Sequence, residues 1–336
     1  MSENLLIKNK QKESNYINHI ASNYRDSIVL LVTVKEKLFS YLGKSELSAE
    51  QIAKKLQWNL RATAKLCNAL IGLRLLEKKN GKYSNTQLAK DYLIKGNPFY
   101  QGNILEHNWH LIHRWIRLDE VLRTGKPIAE PRKRYQNNKE LEAFILGMKD
   151  LAKQSAQALL KKIDFSNCRK MLDLGGGPAT YSIAFTKAYP KLHATVLDLP
   201  NVIPIAKKEI KNNKATRVNT KIGNMLDGNY GKGYDVILLS SIIHSFGPEE
   251  NQKIIRYCSE SLIPGGMLII KDFYCNEYRT APHSSLLFAI NMMLGTEKGD
   301  TYTISEVKYW MQSAGFHKII KKSLNIHSGI LIGVRK

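Results

Sequence analysis

Beyond residue 166 the chain alternates short apolar runs with stretches of helical period. Residues 171–174, 196–197, 219–222, 234–240 (YDVILLS) and 267–270 read as strands, and residues 319–324 and 329–334 as a closing pair. Between them, residues 180–189, 201–212, the segment opening at Pro248-Glu249-Glu250, 284–294 and 305–314 are compatible with helices. Strands alternating with helices predict a parallel sheet covered on both faces, an α/β doubly wound domain over residues 166–336. The first half has a different pattern. Residues 1 to about 20 read as a polar arm, and 28–42 as one apolar helix. Ser48 can cap a helix through Leu56, with Glu50 and Gln51 in its first turn. Residues 60–70 give a second helix, with Leu66, Leu70 and Leu73 on one face. Two short strands, 75–77 and 82–84, flank the turn Asn80-Gly81. That order is a winged helix-turn-helix, which serves either DNA binding or subunit packing. Residues 98–125 form an aromatic and histidine-rich helix, 131–139 a polar loop, and 141–163 a long joining helix. The expected domains are therefore 1–110 (winged helix), 111–165 (helical connector) and 166–336.

The most informative stretch is RKMLDLGGGPATYSIAFTKAYPKLHATVLDLP, residues 169–200. It reads strand, glycine turn, helix, strand, acid, the first half of a nucleotide-binding βαβ unit. Gly175, Gly176 and Gly177 allow a sharp turn and close approach of a ligand. The N–H groups of the following helix can hold an anionic group. Asp198, at the tip of the second strand, can accept hydrogen bonds from both hydroxyls of a ribose. The third glycine of the dinucleotide pattern is Thr180, and Asp173 lies inside the first strand. The resulting D-x-G-x-G is the pattern of S-adenosylmethionine-dependent methyltransferases. Ligands in such sheets bind at the carboxyl ends of the strands, so Gly175, Asp198, Asn224, Ser240 with His244, and Asp272 converge on one cleft.

Composition narrows the classes. A chain of 336 residues, 43% hydrophobic, can bury a large core. No apolar run approaches the ~18 residues of a membrane span, and the N-terminus lacks the apolar core of a signal peptide. Cys67, Cys168, Cys258 and Cys275 are scattered, with no C-x-x-C pair, and read as reduced cytoplasmic thiols. The formal net charge is +22. Its lysines are dispersed and its basic clusters, Arg132-Lys133-Arg134 and Lys321-Lys322, are short, which favours a solvated surface over a nucleic-acid footprint. His107, His110 and His113 share a helical spacing of three, yet no acid or cysteine completes a metal set. In that aromatic context Trp109 and His113 read as pocket lining or core.

DLGGGPATYSIA, VLDLP, SSIIHSFGPEEN, PGGMLIIKDF, FAINMM and GDTYTISEVKYWMQSAGF, in this order, resemble the class I O-methyltransferases of the caffeate and acetylserotonin type, in particular the bacterial branch acting on aromatic small molecules of secondary metabolism. The resemblance runs from about residue 20 to the end. It implies S-adenosylmethionine as cofactor, a small aromatic acceptor, and a homodimer built by the winged helix, with no metal, nucleic acid or membrane. It implies that Gly175 and Gly177 lie beside the methionine part of the cofactor, Asp198 at its ribose, Asn224 and Met225 at the adenine, and Ser240 on the cofactor side. Asn224 replaces the family's usual aspartate. His244 matches the family's base and Asp272 the acid that orients it. The family's second acid falls near Thr301, where this chain has none. Met148, Phe288, Asn291 and Met292 match acceptor-pocket positions.

A phenol is a poor nucleophile until it loses its proton, and a histidine of ordinary pKa can take that proton at neutral pH. The expected activity is therefore O-methylation with His244 as general base. Carbon or nitrogen methylation, a cofactor-dependent reaction without methyl transfer, and a winged-helix DNA-binding regulator are the alternatives. The regulator is the weakest of these, because residues 59–70 offer only Arg61 and Lys65 as basic groups.

Overall fold

In the computed structural model the alternation in the second half of the chain becomes a seven-stranded sheet. The structure describes residues 3–128, 138–324 and 328–336, without the side chains of 3–9 and 138. The expected loop over 131–139 and the Arg132-Lys133-Arg134 cluster therefore fall outside it, except that residues 138 and 139 are already helical. The chain divides into two compact units, Met1–His110 and Leu111–Lys336.

The first unit begins with α1 (Glu3–Ser22) and α2 (Tyr24–Lys35). The arm expected at the N-terminus is thus a helix. It has neither glycine nor proline, and its leucines, lysines, glutamates and glutamine are good helix formers whatever their burial. The single helix expected over 28–42 is broken: Lys37 takes φ 61°, and α3 (Leu38–Leu42) starts afresh. β1 (Leu47–Ser48) leads into α4 (Ala49–Leu56), which starts with a full capping box between Ser48 and Gln51. Then follow α5 (Leu60–Gly72), β2 (Leu76–Lys79), β3 (Lys82–Asn85) and α6 (Gln87–Leu93). Asn80 and Gly81 both have positive φ, the backbone of a tight turn that matches strand twist. β1 adds to β3 as a third strand; two residues carry too little periodicity to announce it. Leu38, Phe39, Leu42, Ile52, Leu70, Leu76 and Tyr83 form the core, and the buried Asn85 amide donates to the carbonyls of Phe39 and Gly43, each at 2.9 Å.

The helix expected over 98–125 is two, α7 (Gly102–Trp115), which runs across the division, and α8 (Leu118–Thr124), closed by Gly125 at φ 65°. α9 (Asn138–Leu160) precedes the sheet. Next come β4 (Lys170–Leu174), α10 (Thr180–Ala188), β5 (His193–Asp198), α11 (Ile203–Asn212), β6 (Val218–Ile222) and β7 (Tyr234–Ser240). α12 (Pro248–Ser261), β8 (Leu262–Asp272), β9 (Tyr274–Cys275), α13 (His283–Gly295), β10 (Tyr302–Thr303), α14 (Ile304–Ser313), β11 (Phe316–Ser323) and β12 (Gly329–Arg335) complete it. The order across the sheet is β11-β12-β8-β7-β4-β5-β6, and β4 pairs in parallel with both β5 and β7.

The period of two sorts the strand residues onto two cores. Leu172, Leu174, Ile237, Leu239, Leu268 and Ile270 pack on one face, with residues of α12 and α14. Met171, Val236, Leu238 and Ile269 pack on the other, with residues of α9 and α10. Burial on both faces explains why β7 is a nearly continuous apolar run. The chain winds outward from β4 through β5 to β6, then returns to β7 on the other side of β4. The gap between the carboxyl ends of β4 and β7 is the switch point where such sheets hold ligands.

Candidate active site

The loop after β4 has its conformation fixed from below. Asp173 is 1% exposed and accepts a hydrogen bond from Ser182 Oγ at 2.7 Å. A Cβ on Gly176 would sit 2.7 Å from the Asp173 carboxyl carbon, so glycine and carboxylate are pressed together. Burial pushes the Asp173 carboxyl up to about 6, against the opposing pull of Ser182. Asp173, expected among the cofactor contacts, thus faces inward and supports the turn.

Gly177 has φ 53°, and the space its Cβ would enter is open. Its N–H donates to Asp198 Oδ2 at 2.8 Å, and the Leu199 N–H donates to Oδ1 at 2.7 Å. Burial raises the Asp198 pKa, and these two amides partly oppose it. A carboxylate has about four acceptor sites, so two remain for a ligand. α10 starts at Thr180 without a side-chain cap, which leaves its first-turn N–H groups available to an anion. Thr180 Oγ1 is buried with no hydrogen-bond partner among the described residues. An open glycine turn, a half-used carboxylate and an unpaired hydroxyl fit a ligand with ribose hydroxyls and a carboxylate, as S-adenosylmethionine has. Asn224 caps a short 3₁₀ turn, accepting from the Leu226 N–H at 3.0 Å, and is exposed; Met225 follows, half-buried. The Met225 methyl group lies 3.0 Å from where a Gly175 Cβ would be.

His244 lies in a 3₁₀ turn, Ile243–Ser245, after β7 and is buried. Its Nδ1 is 2.7 Å from Asp272 Oδ1. Asp272, 0% exposed, also accepts from the N–H groups of Ile242 and Ile243, each at 3.1 Å, and of Phe273 at 2.8 Å. Burial alone would raise its pKa, but His244, Lys271 and the Phe273 amide together hold it below the usual carboxylate range. With Nδ1 donating to that carboxylate, Nε2 carries the lone pair, and it has no partner among the described residues. Asp272 is thus the acid that fixes the ring. At the expected second acid, Thr301 is buried, its carbonyl accepts from Arg279, and its N–H donates to Asp300 Oδ1. No second carboxylate is bonded to the imidazole among the described residues.

Phe288 of α13 stands edge-on to His244 at 4.8 Å between centroids, and Phe273 lies 4.5 Å from Phe288 and 6.0 Å from His244. Asn291 is one turn along α13 from Phe288, and its Oδ1 is buried without a hydrogen-bond partner among the described residues. Met292 is buried and Met148 half-buried. Ser240 lies beside the buried Tyr181 hydroxyl, which Ser155 also approaches; burial pushes that phenol up to about 12. Trp109 and His113 both lie on α7, where Lys35 Nζ is 5.0 Å from the Trp109 ring centroid and His113 is exposed. The structure therefore brings Gly175, Gly177, Asp198 and Met225 together on one side of the switch point, and His244, Asp272 and Phe288 on the other. Sequence reasoning missed Phe273 and Lys271. Their signal was position, at and just past the end of a buried strand.

Among the described residues, no group of three or more His, Cys, Asp or Glu gathers as a metal site, and no helix is long and apolar enough to cross a membrane. Residues 125–317 match the family model of the O-methyltransferase domain, and residues 18–95 that of the O-methyltransferase dimerisation domain. The chain is 29% identical over 318 residues, 91% of each chain, to the 3-hydroxy-5-methyl-1-naphthoate 3-O-methyltransferase of Streptomyces sahachiroi. A solved O-methyltransferase family protein from Burkholderia thailandensis superposes with a TM-score of 0.88 at 28% identity, over 96% of this chain and 98% of that one. Human N-acetylserotonin methyltransferase, solved in complex with SAM, shares the fold with a TM-score of 0.88 at 22% identity, over 96% and 97%.

Proposed function

The chain belongs to the O-methyltransferase family, and on that premise we propose that it methylates a hydroxyl of a small aromatic acceptor, with His244 taking the hydroxyl proton. S-adenosylmethionine is the methyl donor, and it supplies a sulfonium that makes the methyl group electrophilic. The residues' task is then positioning and proton removal. Gly175, Gly177 and Asp198 would hold the methionine and ribose parts, with Asn224 and Met225 beside the adenine and Ser240 on the same side. Phe288, Asn291, Met292 and Met148 would line the acceptor side. Nε2 of His244 would accept the phenolic proton as the oxygen gains the methyl group, and ionised Asp272 would stabilise the imidazolium. The observation that carries this reading is the buried 2.7 Å His244–Asp272 pair, one strand from the glycine turn. Incubation with methyl-labelled S-adenosylmethionine and a panel of phenols should give O-methylated product and S-adenosylhomocysteine in equal amounts. Label on carbon or nitrogen, or binding of a nicotinamide dinucleotide in place of the donor, would refute it.

The first unit would make the homodimer. On α1 and at the start of α2, Tyr16, Ile17, Ile20 and Tyr24 are each more than half exposed, an apolar set that water disfavours. Light scattering on the full chain should give twice the 38.2 kDa of one chain. Ile17→Asp with Ile20→Asp should shift it towards the monomer, and a wild-type monomer at micromolar concentration would exclude the assembly. The four cysteines are all free and buried, in keeping with a cytoplasmic setting.

A further inference from the structure

The turn that carries His244 is clamped from two sides. On one side its N–H groups are held: those of Ile242 and Ile243 donate to Asp272 Oδ2, each at 3.1 Å, while Oδ1 takes His244 Nδ1. On the other side its carbonyls are held, and the main donor is Asn251, near the start of α12. Side chains of a helix lean towards its N-terminus, so Asn251 reaches back over the loop that leads into α12. It is 0% exposed. Its Nδ2 donates to the carbonyl of Ile243 at 2.9 Å and to that of Phe246 at 3.1 Å. One amide thus ties together the main chain before and after His244. The Phe246 carbonyl has a second donor, the hydroxyl of the buried Tyr302. The carbonyl of His244 itself accepts from the Asp300 N–H at 3.0 Å. Glycine at 299 is what lets that segment pass so closely, since a Cβ there would lie 2.5 Å from the His244 oxygen.

Packing and helix propensity do not account for asparagine at this position. Its Oδ1 is buried with no hydrogen-bond partner among the described residues, and asparagine is a weak helix former. A leucine of similar size would avoid both costs. What the amide adds is a pair of N–H donors, and both go to the backbone around His244. The imidazole has one bonded carboxylate among the described residues, Asp272. Where the family's second acid would fall, this chain has Thr301, and the residues on either side of it, Asp300 and Tyr302, hold the main chain of the turn instead. We propose that Asn251 is a positioning residue for the base: with Tyr302 it fixes the turn so that Nδ1 stays on Asp272 while Nε2 faces the acceptor. This rests on the reading of His244 as general base given above, and adds what keeps the ring in place.

Asn251→Leu keeps the volume and removes both N–H groups. With a phenol that wild-type protein methylates, it should lower kcat roughly 10- to 100-fold at neutral pH, since a misplacement of about 1 Å at a reacting group can cost 10²-fold. KM for S-adenosylmethionine should stay within about twofold, because the donor side is untouched. The deficit should shrink as pH rises towards the pKa of the phenol, whereas a fold that is merely loosened would lose rate equally at every pH. Tyr302→Phe should give a smaller loss with the same pH dependence. NMR of the labelled histidine rings, with the His244 signal identified by its loss in His244→Ala, needs no acceptor. Wild-type protein should show one tautomer, protonated at Nδ1, and Asn251→Leu a mixture of two. A wild-type kcat in Asn251→Leu, a deficit constant across pH, or an unchanged tautomer would overturn the assignment. If Asn251→Leu fails to bind S-adenosylmethionine, Tyr302→Phe decides: a pH-dependent loss supports the clamp and a wild-type rate overturns it. Wild-type turnover by His244→Ala would remove the base, and the role of Asn251 with it. If wild-type protein methylates no phenol, the proposed function falls, and the tautomer measurement still decides whether Asn251 fixes the ring.

Discussion

His244→Ala should slow methyl transfer to a phenol by roughly 10²–10⁴-fold at neutral pH while leaving S-adenosylmethionine binding nearly intact. The magnitude is the usual share of a positioned general base. The separation of the two effects follows from placement. His244 is tied to Asp272 at the end of β8 and packs on Phe288, whereas Asp198 and Gly177 lie across β4 and β5. An unperturbed phenol loses its proton near pH 10. The deficit of the variant should therefore shrink as pH rises towards that value, because the nucleophile then forms without help. Asp272→Asn should cost less in the proton-transfer step, since the base itself remains. It also replaces an acceptor of four hydrogen bonds by a group that can accept at only one atom, so its thermal stability should fall as well. Rates and melting temperatures of both variants, across pH, separate the two effects. Wild-type turnover by His244→Ala at neutral pH would exclude the base and point to an acceptor that is already ionised, or to methylation at carbon or nitrogen.

Asp198→Ala should weaken S-adenosylmethionine binding by on the order of 2–4 kcal/mol, the cost of removing a buried charged acceptor from a pair of hydroxyls, or roughly 30- to 1,000-fold in Kd. The structure adds a second route to the same loss. Asp198 also holds the N–H of Gly177 at 2.8 Å and that of Leu199 at 2.7 Å, so the alanine variant frees the turn itself. Asp198→Asn retains one oxygen for the Gly177 N–H and loses the charge. It should fall between the two and report how much of the effect is loop order. Calorimetry gives both affinities, and a Kd for Asp198→Ala within threefold of wild type would remove Asp198 from the ribose site.

The sheet, its strand ends and the cofactor turn were legible because their signals are local. Short apolar runs ended at Leu174, Ser240 and Ile270 because those strands are buried on both faces, and the residues just beyond them stand at the carboxyl edge. Where the sequence reading and the structure part, the cause is either a local propensity that polarity obscured or a contact distant along the chain. The polar composition of α1 suggested an arm, though its polarity governs burial and leaves helix formation to propensity. The break at Lys37, and that between α7 and α8, left no glycine or proline to mark them. β1 exists only because β3 passes beside it. Asp173 stood in a motif that names a ligand, and the bond its buried side chain accepts from Ser182 was not legible there.

By itself the sequence determined the alternation that makes a parallel sheet, the glycine turn and acid at its edge, and a titratable histidine after a central strand. Each is set by residues adjacent in the chain, where backbone periodicity and side-chain chemistry act directly. Only the tertiary structure decided that Asp272 is saturated by four donors, and that Lys271 is buried beside Phe273 with two donors unused among the described residues. Those facts depend on β7, β8 and α13 meeting, and on alternate residues of one strand leaving on opposite faces. Lys271 and Asp272 are neighbours in the chain, and the alternation of a strand sends their side chains to opposite faces.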